Sequence, residues 1–148
     1  MFVQASKAAE VTGLTEHQIK EWCIRRSLLR PDRPPAGRGH HALFGWRTLL
    51  ALRLLRELHE EFGGTVAYWA PILSQWRDDL VSKPFHSLYE HSVILEKGVA
   101  RISRVIPNSS SMPFIVLPLN HHLVALAAGG LAAMEKQRPL LKPHLVKR

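Results

Sequence analysis

Apolar residues in the first eighty positions recur at helical spacing in four runs. Ser6 is placed to cap a first helix to about Val11, with Ala5, Ala8, Ala9 and Val11 as its apolar positions, and Gly13 breaks it. Thr15 is the next cap, opening a second helix to about Arg26 that turns Ile19, Trp22 and Cys23 inward. Two short helices joined through a glycine are the helix-turn-helix arrangement. No period survives from Arg30 to Phe44, where Pro31, Pro34, Pro35, Gly37 and Gly39 punctuate the chain as a basic loop or wing. Trp46 then starts a long amphipathic helix carrying Leu49, Leu50, Leu54, Leu58 and Phe62. On its polar face, Arg53 and Arg56 are spaced to pair with Glu57 and Glu60. Gly63-Gly64 ends this helix, and Thr65 caps a fourth to about Leu80, which Pro71 is expected to kink or divide.

The pattern changes near Val81 to His86, where a domain boundary is expected: residues 1–80 as one domain, 81–148 as another. "SVILEKGVARISRV" reads as two strands around a Lys97-Gly98 turn, and "FIVLPL" as a third. One apolar face is expected from Val93, Leu95 and Val99, the other from Ile94, Ala100, Ile102 and Ile106. Asn120 is placed to cap a last helix to about Arg138, with Gly129-Gly130 as a weak point and a basic, frayed tail from Pro139. The fold class expected is therefore an α-helical winged helix-turn-helix domain followed by a small α/β domain of three short strands plus a helix.

Charge sharpens this picture. Twenty basic and twelve acidic residues give a net charge of +8, which favours a polyanionic partner without choosing between nucleic acid and an anionic membrane face. The longest strongly apolar run, Leu123 to Met134, falls short of the roughly 20 residues that span a bilayer. No signal peptide is expected, since Met1 to Lys7 holds no apolar run of that kind, and a single cysteine, Cys23, forms neither an intrachain disulfide nor a cysteine zinc cluster. A cytoplasmic, nucleoid-associated location is the expectation. From Arg25 to Arg56 there are eight arginines and one acid, Asp32, a local charge of +7. The guanidinium fork suits phosphate and guanine, so this segment is where DNA is expected to bind.

Several pieces, in order, resemble the winged-helix domain of the MerR superfamily over roughly Val3 to Leu80. "ASKAAEVTGLT" resembles its first helix and glycine turn, "EHQIKEW" its recognition helix, and "RRSLLRP" the exit from that helix. "GRGHHALF" is similar to its wing and "WRTLLALRLLREL" to the long helix behind it. Three features depart from the family pattern. Ser27 stands where glycine is usual, and Phe44-Gly45 where tyrosine followed by serine or threonine is usual. The stretch from Trp22 to Leu28 is also one residue longer than the common spacing, so the end of the second helix is expected to be re-registered.

The resemblance implies a bacterial, sequence-specific regulator of transcription that binds double-stranded DNA as a homodimer. Helix 15–26 would lie in the major groove, with Thr15, Glu16, His17, Gln18 and Lys20 nearest the bases. Gln18 suits adenine, and Lys20 guanine or phosphate. Arg25 and Arg26 would hold phosphate, while Arg33, Arg38, His40 and His41 in wing 30–44 would track the backbone or enter the minor groove. Trp22 is expected in the core rather than stacked on a base. Two other readings stay open. One is an architectural protein of a mobile element or phage, excisionase-like or a packaging subunit. The other is a protein-interaction adaptor that has lost DNA binding.

No enzyme site, cofactor or membrane partner is expected, and no effector ligand is readable. The adjacent pairs His40-His41 and His121-His122 should diverge, with no cysteine or carboxylate at ligand spacing, so no metal is expected. Gly37-Arg38-Gly39 lacks the context of a nucleotide fingerprint. The second half supports no family resemblance. Its last helix, with Leu123, Val124, Ala127, Leu131 and Met134 apolar, suits either a dimer contact or packing on its own sheet.

Overall fold

A computed structural model describes residues 1–108 and 112–132. Helix α1 spans Ala5–Thr12 and α2 spans Glu16–Lys20, continuing as a π-helical turn over Glu21–Arg25. The long helix α3, Trp46–Glu61, and α4, Val66–Asp79, complete the helical half. A 3₁₀ turn at Phe85–Leu88 leads into β1 (Ser92–Glu96), β2 (Val99–Ser103) and β3 (Phe114–Pro118), and α5 covers Asn120–Ala128. The sheet is antiparallel in the order β2-β1-β3. The architecture is thus a winged helix-turn-helix followed by a small three-stranded sheet and a helix.

Local chemistry explains most boundaries. Thr15 caps α2 in a capping box: its hydroxyl accepts the Gln18 N–H at 3.0 Å, and the Gln18 Oε1 accepts the Thr15 N–H at 2.9 Å. Thr65 caps α4 through the Tyr68 N–H. The hairpin turns at Lys97 and Gly98, both at positive φ (55° and 75°), the geometry a two-residue turn needs to match strand twist.

Five expectations need correction. Helix α1 starts at Ala5 after Gln4, so Ser6 lies inside the first turn and caps nothing. Of the two effects expected of Pro71, division of α4 does not occur: the helix runs from Val66 to Asp79 through it, and the full burial of Ala70 and Leu73 nearby offsets one lost hydrogen bond. Asn120 is the first helical residue rather than the cap; its side chain instead accepts the Glu90 N–H and donates to the Glu90 carboxylate. Helix α5 ends at Ala128 and is followed by turns from Gly129 to Ala132, so the expected helix is not continuous through Gly129-Gly130; its expected stretch to Arg138, with Met134, and the tail from Pro139 lie outside the described residues from 133 on. The sheet faces also differ. Val93 pairs with Ile102 and Leu95 with Ala100, so these four share one face, while Val99 pairs with Glu96 on the other and is exposed, as is Ile106.

The apolar face of the sheet joins the helical core. Leu49, Leu54, Leu58 and Leu73 belong to the same buried cluster as Phe85, Val93, Leu117, Leu123 and Leu126. Helix α5 packs on α3 and α1, and β2 lies against α4. At Gly129 an added Cβ would come within 2.5 Å of Val11 Cγ1, so the end of α5 sits directly on α1.

Candidate nucleic-acid interface

The extra residue between Trp22 and Leu28 is absorbed by the π-helical turn. There the Arg26 N–H reaches back five residues to the Glu21 carbonyl at 2.9 Å. The chain then leaves the helix through Ser27 in the left-handed region, at φ 51°. The Leu28 N–H closes the exit on the Trp22 carbonyl at 2.8 Å. The resemblance leads one to expect glycine at this position, and the backbone here adopts the left-handed conformation that glycine favours, with a serine in place.

The other departure is also compensated. Phe44 is fully buried and pairs its backbone with Val3 in an isolated bridge, so it needs no hydroxyl. Gly45 has no side chain to cap α3, but the Asp32 carboxylate accepts its N–H at 2.5 Å. Asp32 is the only acid between Arg25 and Arg56, and it is turned to the helix N-terminus, where negative charge is favoured.

The wing is a hairpin closed by the Arg33–Leu43 bridge, with both hydrogen bonds formed at 3.1 and 2.9 Å. Its tip turns at Gly37 and Gly39, both at positive φ, and holds Arg38 out between them. A groove of about 240 Å³ separates the wing from the exposed face of α2. Glu16, Lys20, His40 and His41 meet there, along with Ser6 and Ile24. Thr15 and His17 are exposed at the start of α2. Gln18 instead folds back onto the cap, so its Oε1 is already engaged. Arg25 pairs with Glu21 at 3.3 Å but remains 73% exposed, and Arg26 is exposed beside it. Arg33 lies over the Phe2 ring, 4.7 Å from its centroid.

The eight arginines divide by role. Arg47 donates to the Leu80 and Lys83 carbonyls at the end of α4, at 2.8 and 2.7 Å. Arg53 is not a solvated partner of Glu57: it donates to the Val11 carbonyl at 2.6 Å and to His122 Nδ1 at 3.0 Å. Arg56 does pair with Glu60, at 3.0 Å, and also donates to the Thr12 carbonyl. These three therefore hold helix ends together. Arg25, Arg26, Arg30, Arg33 and Arg38 are left exposed on the side of α2 and the wing. Arg30, at the root of the wing, was counted in the sequence as charge but not assigned a contact; its carbonyl accepts from Arg77 of α4.

Trp22 is buried, with its ring edge-on to His59. Cys23 is also buried, and burial pushes its thiol up to about 12, which favours the neutral thiol of a small core residue. The histidine pair at the start of α5 does not diverge as expected. The His121 and His122 rings are 3.9 Å apart, and Glu57 of α3 joins them so that their ligand atoms lie within 4.8 Å of one another. The arrangement is nevertheless a poor cation site. The Arg53 guanidinium can only donate, so His122 Nδ1 accepts, and Nε2 carries the proton that it gives to Glu57 at 2.7 Å. A metal on Nε2 would drive that proton to Nδ1, against the Arg53 donor.

No helix among the described residues is long and apolar enough to cross a membrane. Comparison with curated proteins finds no match to the chain. Comparison with family models matches residues 4–75 to the MerR HTH family regulatory protein. The matched stretch runs from the residue before α1 to near the end of α4, and contains the capped helix, its π-helical exit and the wing. The N-terminal half of the chain is accordingly a MerR-type helix-turn-helix domain, the DNA-binding module of that family of regulators.

Proposed function

We propose that the protein is a transcriptional regulator that binds a specific site on double-stranded DNA, acting as a homodimer in a bacterial cytoplasm. Residues 1–80 are the DNA-binding unit in this reading. Residues 81–148 supply a dimer or partner contact. Helix 15–26 enters the major groove with Glu16, His17 and Lys20 toward the bases, and Gln18 reads a base only after releasing its cap. Arg25, Arg26, Arg33 and Arg38 hold phosphates, with His40 and His41 lining the groove beside the helix.

One observation carries the reading. Five arginines remain exposed around α2 and the wing after the fold has engaged the other three, and the one acid among them is bonded to the Gly45 N–H at the start of α3. Cationic side chains bordering a helix-turn-helix groove release counterions on binding DNA, so affinity should fall steeply with salt. Replacing Arg25, Arg26 and Arg38 with Ala should reduce the log–log salt slope by about three, at roughly one per phosphate contact. A competition titration measures this with random and selected duplexes. An unchanged slope points to the adaptor reading, and equal affinity for the two duplexes rules out a specific site. A palindromic selected motif with half-sites one helical turn apart supports the dimer.

A further inference from the structure

The sheet has two edges, and the register leaves them unequal. Lys97-Gly98 is a two-residue turn, so Glu96 and Val99 beside it form a hydrogen-bonded pair, as do Ile94 with Arg101 and Ser92 with Ser103. The N–H and C=O groups of Ala100 and Ile102 therefore point away from β1, and no hydrogen bond takes them up among the described residues. The other edge is blunted. On β3 the residues pointing outward include Pro118, which has no N–H to offer, and the chain leads from there into α5. Strand β2 holds no proline, and its register with β1 has no bulge. A groove of about 370 Å³ follows this open edge, between β2 and the end of α4. Five consecutive residues, Ala100 to Arg104, line it, so it borders the edge of the strand rather than one face. Ala100 and Ile102 lie on the face turned to the core, and Arg101 on the outer face with Val99. Lys83, Arg101 and Arg104 outnumber the one carboxylate of the lining, Asp79, which accepts from Gln75 at 3.3 Å.

We propose that β2 takes a fourth strand: an extended segment of a partner protein, antiparallel to β2, in which apolar and acidic residues alternate. Its main chain bonds the open N–H and C=O groups of Ala100 and Ile102. The segment's residues opposite these two share their face, and there apolar side chains lie beside Ala100 and Ile102. The residue opposite Arg101 falls on the outer face, at a non-hydrogen-bonded position where facing side chains stand closest. An acidic side chain there meets the guanidinium directly. Charge also selects the occupant. A second copy of β2 would bring a second set of the same cations to the groove, and charged edge residues guard against such self-pairing. The proposal rests on the reading of residues 81–148 as a contact surface and takes its partner alternative; DNA binding is not part of it.

The test follows the backbone amides of the full chain, labelled with nitrogen-15, by NMR. The probe is a capped peptide of alternating valine and glutamate, titrated into the millimolar range. The expected result is a saturable shift and slowed hydrogen exchange at the Ala100 and Ile102 amides. Two modified probes read the pairing itself. The valines face Ala100 and Ile102 and donate to them, so N-methylation of the valines should abolish binding, while N-methylation of the glutamates should spare it. Replacing the exposed Arg101 by Glu should weaken the glutamate peptide roughly fivefold and favour a valine–lysine peptide instead. No protection of Ala100 and Ile102 by the peptide overturns the proposal. So does equal binding of the two methylated probes, or loss with the glutamate form instead. Protection in the chain alone that rises with its concentration, with a dimer mass by sedimentation, also overturns it: a second copy then fills the edge, and residues 81–148 remain a contact surface. Protection by duplex DNA but not by the peptide overturns it as well, assigning the cations to the polyanion. None of these results requires the chain to recognise a specific DNA site, so failure here is distinct from failure of the DNA-binding reading.

Discussion

Acid should loosen the junction between the two halves of the chain through a single side chain, His122. It is 4% exposed, and it is enclosed by Arg53 and Glu57 of α3 and by the adjacent His121. Burial, opposed by the hydrogen bond to Glu57, lowers its pKa from 6.5 to about 4, with the charges of His121 and Arg53 adding to the drop. The unfolded chain takes up this proton near pH 6.5 and the folded chain only near 4, so the unfolded state binds more protons in between. Stability is therefore complete above pH 6.5 and falls as the pH drops through this window. The full loss is about 3 kcal/mol, of which about 2 kcal/mol is reached by pH 5. Urea unfolding followed by tryptophan fluorescence at a series of pH values measures it. His122→Gln keeps an acceptor for Arg53 and a donor for Glu57 but cannot titrate, so its stability should decline less across the same window. Parallel curves for the two proteins refute the reasoning, and so does a folded-state His122 titration at or above 6.5 by NMR.

Three further substitutions test the packing around the site. Ser27→Gly should raise stability by about 1 kcal/mol, since it relieves a left-handed serine at the end of the π-helical turn, and a thermal midpoint that stays put or falls counts against that assignment. Thr15→Ala should lower stability by about 1 kcal/mol through loss of the capping box, while Thr15→Asn should retain most of it; the two are compared by denaturant titration. Gly129→Ala should cost about 1–3 kcal/mol by driving a methyl group into Val11, and Val11→Ala in the same chain should recover part of that loss. Additive effects in this double-mutant cycle would mean that α5 and α1 do not touch there.

What was legible in the sequence was local. The leucine period of α3, the Thr15 and Thr65 caps, and the Lys97-Gly98 hairpin each follow from a few neighbouring residues, and each is present. The extra residue before Leu28 was visible as a spacing, but its accommodation was not, because a π-helical turn has no composition signal of its own. The errors arose where a distant partner outbid a local one. Asn120 had a cap to make and bonded Glu90 instead. Arg53 had Glu57 four residues away, and its actual partners lie 42 and 69 residues along the chain. Glu57, released from that pairing, meets a histidine 65 residues away. Adjacent histidines were expected to diverge from helix geometry alone, which says nothing of a ring turned toward a buried donor on another helix.

These long-range bonds change the meaning of the charge cluster. Counting arginines from Arg25 to Arg56 treats all of them as available to an anion, but a guanidinium bound to the carbonyl end of a helix already satisfies acceptors that would otherwise be orphaned. Arg53 and Arg56 do this at the end of α1 and Arg47 at the end of α4. The helix-turn-helix is thereby braced from behind by the same residue type that faces outward on its front. Arg53 carries the brace further, because its other bond runs to His122 at the start of α5. One side chain thus joins the first helix of the DNA-binding half, the long helix behind it and the last helix of the described chain. A displacement of α5 has a direct route to α1 through Arg53, and a second through the contact of Gly129 with Val11. The second half is therefore not a passenger on the DNA-binding module: it is bonded to the helix that precedes the glycine turn.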